Sequence, residues 1–137
     1  MDASHEIRLS SGTVRYRDSD PAHPADGPVL LFVHGFLVDG RLWRKVVDEA
    51  SAWARCIVPD LPLGSHELPM DDDADLSPRG VVALVAELIE RLGIEGAIVV
   101  GNDSGGAMTQ MLATTRPELV GGIVLTSCDA FDNFPPK

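Results

Sequence analysis

The sequence predicts an α/β fold in which a β-hairpin is followed by a mostly parallel sheet with helices on both faces. Three observations carry that expectation. Short apolar runs rich in β-branched residues, PVLLFVHGF, RCIVPDL, GAIVVG and GGIVLTSC, alternate with longer segments of helical periodicity. The connections are mostly short, which implies parallel strands joined by right-handed crossovers. Finally, the glycine-rich stretch GNDSGG joins one strand-like run directly to a helix-forming one.

The elements follow in order. EIRLS and TVRYRD alternate around Ser11 and Gly12 and read as the opening hairpin. PVLLFVHGF is too short and too β-branched for a helix, so it reads as a strand buried on both faces. Beyond Asp39 and Gly40, RLWRKVVDEASAWA predicts an amphipathic helix whose apolar positions are Leu42, Val46, Val47 and Ala50. RCIVPDL is the next strand. LPLGSHELPMDDDAD is a long connection for a compact domain, of the kind that carries function or lines a site. Ser77 and Pro78 mark a helix start, VVALVAELIERLG places Val81, Leu84, Val85, Leu88, Ile89 and Leu92 on one face, and Gly93 stops it. GAIVVG is a strand, SGGAMTQMLATTRP a helix ended before Pro117, and GGIVLTSC a further strand.

Bulk properties narrow the function. With 137 residues, 45% hydrophobic and 23% charged, the chain reads as one globular domain with a real core. No apolar run is long enough to cross a bilayer, and MDASHEIRLSSG lacks the basic and apolar regions of a secretion signal, so a cytoplasmic location is the expectation. A net charge of −10 argues against nucleic acid and anionic membrane as partners. Asp71, Asp72, Asp73 and Asp75 lack the spaced ligands and glycine of a calcium loop and read as a solvated acidic loop. Cys56 and Cys128 flank apolar runs and read as buried, reduced thiols. No metal site and no cofactor are expected, and neither a Walker loop nor a dinucleotide fingerprint occurs.

VVGNDSGGAMTQ, Val99 to Gln110, has the layout of a nucleophile elbow, the strained strand-to-helix turn that lifts one side chain above the C-terminal edge of a parallel sheet. Its register rests on sterics. The residues two positions either side of the apex pack so closely that only very small ones fit. With Asp103 at the apex those neighbours are Gly101 and Gly105, with Gly106 giving further clearance; with Ser104 they would be Asn102 and Gly106. Asn102 is too large, which favours Asp103. A Gly-rich turn that merely packs a helix on a strand, with no nucleophile, is the bland alternative.

Together with HGF at His34 to Phe36, Trp43, PDLPLGS at Pro59 to Ser65 and LTSCDAFDNFPP at Leu125 to Pro136, the elbow resembles the α/β-hydrolase superfamily. Within it, the likeness is to the branch with an aspartate nucleophile that includes haloalkane dehalogenases and epoxide hydrolases. The resemblance implies the N-terminal part of an α/β-hydrolase fold, with Asp103 as nucleophile and the backbone N–H groups of Phe36 and Ser104 as oxyanion hole. It also implies a small-molecule substrate. Asp129, after GGIVLTSC, stands where part of the branch keeps the acid that orients its base, and a turn-capping role is an equal alternative. His34 and Gly35 are expected to order the loop under the oxyanion hole, Asp60 to hold its own loop, and Trp43 to pack.

The sequence departs from that pattern twice. Ser104 stands where dehalogenases, and commonly epoxide hydrolases, have a tryptophan, so the halide-holding indole is absent. None of the four histidines, His5, His23, His34 and His66, follows the elbow, where the superfamily keeps its base. The expectation is therefore residues 1–137 as a single partial core, without lid or C-terminal strands, inactive or limited to a single turnover and open to self-association along the exposed edge of GGIVLTSC. A non-catalytic remnant or interaction module, and a serine hydrolase using Ser104, are the alternatives.

Overall fold

The computed structural model describes residues 4–20 and 27–130. Six strands form one sheet: β1 (Ser4–Leu9), β2 (Gly12–Asp18), β3 (Val29–Val33), β4 (Arg55–Pro59), β5 (Ala97–Asp103) and β6 (Val120–Cys128). Their spatial order is β1-β2-β4-β3-β5-β6. β1 with β2 and β2 with β4 are antiparallel, whereas β4, β3, β5 and β6 run parallel. The expected α/β architecture is therefore present, with the hairpin added to one edge of the parallel strands.

Side-chain alternation along the strands builds a core on each face of the sheet. On β3, Leu31 and Val33 face one side with Ile57 of β4 and Val99 of β5; Leu30 and Phe32 face the other with Cys56, Val58 and Val100. Two helices, α2 (Pro78–Arg91) and α3 (Ser104–Thr115), cover the first side. The second side is covered by a 3₁₀ turn (Gly40–Trp43) that runs into α1 (Arg44–Ala50). α2 forms because Ser77 caps its start, its hydroxyl accepting from the Gly80 N–H at 3.3 Å, and Pro78 needs no N–H partner there. Its apolar face buries Val81, Leu84, Val85, Leu88 and Ile89, as expected, together with Val82 and Ala86. Gly93, at φ 65°, ends it.

The α1 region differs from the sequence expectation. Leu42 and Val46 are exposed, and the buried positions are Trp43, Val47, Ala50 and Ala54. The tight 3₁₀ turn rotates the start of the segment and aims Trp43 at the sheet, where its ring lies 5.1 Å from that of Phe32. The helix that follows is also shorter than RLWRKVVDEASAWA suggested, because the chain turns after Ala50 and both Trp53 and Ala54 donate back to the Ala50 carbonyl.

The long connection after β4 is partly a strap. Met70 bridges Gly12 at the hairpin turn, the Asp71 N–H donates to the Ser11 carbonyl at 2.9 Å, and the Arg8 guanidinium grips the Asp71 carboxylate. Across the sheet, Asp18 is only 2% exposed and receives two hydrogen bonds from the Arg55 guanidinium, at 3.1 and 2.7 Å. That pair ties β2 to β4. Cys56 is buried as expected, but Cys128 is only half-buried because β6 is an edge strand with a single neighbour among the described residues.

Candidate functional site

The parallel strands place four segments at one end of the sheet: the loop after β3, the loop after β4, the turn from β5 into α3, and the end of β6. Asp103 is the last residue of β5 and the N-cap of α3, at φ 57° and ψ −131°. A non-glycine residue is rarely held there, and the strain belongs to the elbow itself. Asp103 is exposed, whereas Ser104 is 1% exposed. Asn102 lies to the side, its amide donating to the Thr126 carbonyl and hydroxyl at 2.9 and 3.0 Å.

The surrounding glycines are required by close approach. A Cβ on Gly101 would stand 2.5 Å from the Thr109 hydroxyl and 2.7 Å from the Gly105 carbonyl oxygen. One on Gly105 would enter the carbonyl oxygens of Val33 and His34, and one on Gly106 would collide with the Cys128 side chain. The clearance at Gly106 thus serves β6 rather than the apex. A Cβ on Gly35 would sit 2.9 Å from Ser104 Oγ and 3.1 Å from Asp103 Oδ2, so Gly35 allows the β3 loop to lie directly against the elbow.

That loop is held from below by His34, which is fully buried. Its Nε2 accepts from the Leu61 N–H at 2.9 Å, so the proton lies on Nδ1, which donates to the Gly35 carbonyl at 2.9 Å. Burial pushes the imidazole pKa below its ordinary value and keeps the ring neutral. With both nitrogens engaged within the backbone, His34 positions the loop. Asp60 supports the same loop from β4, accepting from the Gly40 N–H at 2.9 Å. Trp43 lies in the core beneath, away from the elbow surface.

The Phe36 N–H, one of the two expected oxyanion donors, is bonded to the Ser104 hydroxyl at 2.8 Å. The sequence carries no signal for that contact, since it joins residues 68 positions apart. β6 brings Asp129 to the apex through a bulge: Asn102 pairs with Thr126 but Asp103 with Cys128, leaving Ser127 as the extra residue at φ 38°. The Asp129 N–H approaches the Asp103 carbonyl at 3.4 Å, and the Gln110 amide donates to the Asp129 carbonyl at 3.1 Å. Gln110 is a support that sequence reasoning missed, although its place two turns into the elbow helix is a detectable signal.

Phe36, Leu37 and Val38, which follow Gly35 in the loop, are apolar and exposed, with Leu37 77% exposed. Leu37 is held at φ 64°, its N–H bonded to the Leu63 carbonyl at 2.9 Å. Among the described residues, no three His, Cys, Asp or Glu side chains come together in a way that would hold a metal ion. No helix among them is long and apolar enough to cross a membrane.

A family profile described as "Alpha/beta hydrolase family" matches residues 30–137, the span that contains every element of this site. The chain belongs to the α/β-hydrolase family. Its relatives carry different names. It is 39% identical over 101 residues to the magnesium-chelatase 30 kDa subunit of Rhodobacter capsulatus, covering 72% of this chain and 35% of that protein. It is 35% identical over 122 residues to the cis-3-alkyl-4-alkyloxetan-2-one decarboxylase of Xanthomonas campestris pv. campestris, covering 83% and 40%. A haloalkane dehalogenase of Mesorhizobium japonicum is 32% identical over 119 residues, covering 86% and 36%.

Solved α/β-hydrolase structures align over most of the chain. A DBJA mutant superposes with a TM-score of 0.79 and 28% identity, covering 93% of this chain and 42% of its own. The N-acyl homoserine lactonase AidH, complexed with N-butanoyl homoserine, gives 0.80 and 28%, covering 93% and 45%. The chain therefore spans well under half the length of the α/β-hydrolases it matches.

Proposed function

We propose that this chain carries the nucleophile half of an aspartate-dependent α/β-hydrolase acting on a small organic electrophile, an alkyl halide, an epoxide or a related strained ring. The observation that carries the reading is the elbow register. Asp103 occupies the strained, exposed apex, while the Ser104 side chain is buried and turned down onto the Phe36 N–H. A serine in that position has no path to an external carbonyl, which argues against a serine hydrolase built on Ser104. Similarity to a haloalkane dehalogenase and to an oxetanone decarboxylase supports an electrophilic carbon as the target.

The chemistry follows from the carboxylate. One Asp103 oxygen attacks the substrate carbon as the bond to the leaving atom breaks; a halide departs with the electron pair, whereas an epoxide oxygen keeps it, stays on the alkyl group and takes a proton from water. The product is an alkyl ester on Asp103. Water attack on its carbonyl then develops an oxyanion, for which the Phe36 and Ser104 N–H groups are the assigned donors. Activating that water requires a base. His34 is neutral and bonded at both nitrogens, and no histidine follows Asp103 in the sequence. We assign Asp129 as the acid that would orient a base supplied from outside these residues, because β6 delivers it to the apex. Without such a base, these residues are expected to be alkylated once and to release the product slowly.

Intact-mass spectrometry tests this directly. After incubation with styrene oxide, a single adduct mapped to Asp103 and missing in Asp103→Ala is the expected result. Steady turnover would overturn the assignment of a missing base. No difference between the chain and Asp103→Ala would leave the non-catalytic reading.

A further inference from the structure

We propose that the Ser104 hydroxyl is a latch that keeps the Phe36 N–H away from the Asp103 carboxylate in the resting enzyme and releases it for ester hydrolysis. The inference rests on the reading of Asp103 as nucleophile. Ser104 Oγ accepts from the Phe36 N–H at 2.8 Å, and Ser104 itself is buried. Ser104 Oγ and Asp103 Oδ2 lie 2.9 and 3.1 Å from the same point above Gly35. The hydroxyl holds the Phe36 N–H, and the carboxylate borders the same space above Gly35, the residue that precedes Phe36.

The two half-reactions need opposite things from this donor. A carboxylate that accepts a backbone N–H is stabilised as an anion and is a poorer nucleophile, so C–O bond formation gains when the donor is engaged elsewhere. Once the ester has formed, the oxygen that becomes the oxyanion needs that donor. A serine χ1 rotation switches between the states, and the hydroxyl keeps its own hydrogen to donate in either position. An indole at position 104 has no acceptor atom and could not hold the Phe36 N–H. Ser104 acts in this step as a positioning residue, through the Phe36 donor.

The test uses Ser104→Ala, which removes the acceptor and keeps a good helix former at the start of α3. The Asp103 adduct with styrene oxide should form about threefold to tenfold more slowly than in the unaltered chain, and the isolated ester should decay roughly fivefold faster, the ratio for one ordinary hydrogen bond. A merely structural defect would depress both rates, so the opposite signs are the signature. The Phe36 amide, followed by ¹⁵N NMR, should also exchange faster with solvent in Ser104→Ala. Both rates unchanged, or both moving the same way, would overturn the latch while leaving Asp103 as nucleophile. An unaltered chain that forms no adduct at all would overturn the nucleophile reading and the latch with it.

Discussion

His34 Nε2 accepts the Leu61 N–H at 2.9 Å, and that bond joins the loops following β3 and β4 beneath the elbow, together with Gly40 N–H to Asp60 and Leu37 N–H to the Leu63 carbonyl. Since the ring must be neutral to accept there, the contact ties the shape of the candidate site to pH.

The sign follows from the depressed pKa of the buried imidazole. In the unfolded chain His34 takes up a proton as pH falls through about 6.5, while the folded chain resists protonation until lower pH. The unfolded state binds more protons in that window, so His34's contribution to stability is complete above the unfolded pKa and declines as pH falls below it. In urea titrations the stability advantage of the unaltered chain over His34→Gln should shrink between pH 7.5 and pH 5.5. A constant difference would show that protonation of His34 does not limit folding.

Gly105 in the elbow should be far less tolerant of a side chain than Gly122 of β6. In Gly105→Ala the new methyl enters the backbone oxygens of Val33 and His34, which cannot withdraw without breaking the sheet, so a loss of about 3 kcal/mol or more, or failure to fold, is expected. Gly122→Ala meets its nearest atom, on Ile98, at 3.9 Å and should change stability by less than about 1 kcal/mol. Thermal melts of the two variants check the contrast.

Asp18→Ala should be among the most damaging substitutions away from the site. It leaves the mostly buried Arg55 guanidinium without its two carboxylate bonds and costs about 3–5 kcal/mol, measurable as a lower urea midpoint. Arg8→Ala should leave the urea midpoint almost unchanged, since its pair with Asp71 is solvated.

β6 presents Ile123, Val124 and Leu125, each about two-fifths exposed, on the edge of the sheet that has no further strand among the described residues. We propose that this edge drives self-association of the chain. Light scattering should report oligomers that Val124→Lys reduces, and a monodisperse monomer would refute the idea.

Local rules made much of this protein legible from its residues. Short continuous runs of β-branched apolar residues located the parallel strands, Ser77 and Pro78 located the start of α2, and the small residues around Asp103 pointed to the elbow and its register. Each of those signals is written within a few adjacent residues, where sterics and capping act. The α1 face was misjudged because Leu42 and Val46 satisfy a helical spacing just as Trp43 and Val47 do. Contact with Phe32 on the sheet decides between them.

The amino-acid sequence by itself determined which residue stands at the apex, since backbone crowding at an elbow admits only glycine at Gly101 and Gly105. Only the tertiary structure decided what surrounds it. The Ser104 hydroxyl on the Phe36 N–H, the Ser127 bulge that brings Asp129 to the apex, and the neutral His34 under Gly35 each join segments far apart in the chain. Such contacts depend on strand order and register across the sheet, which no local pattern encodes.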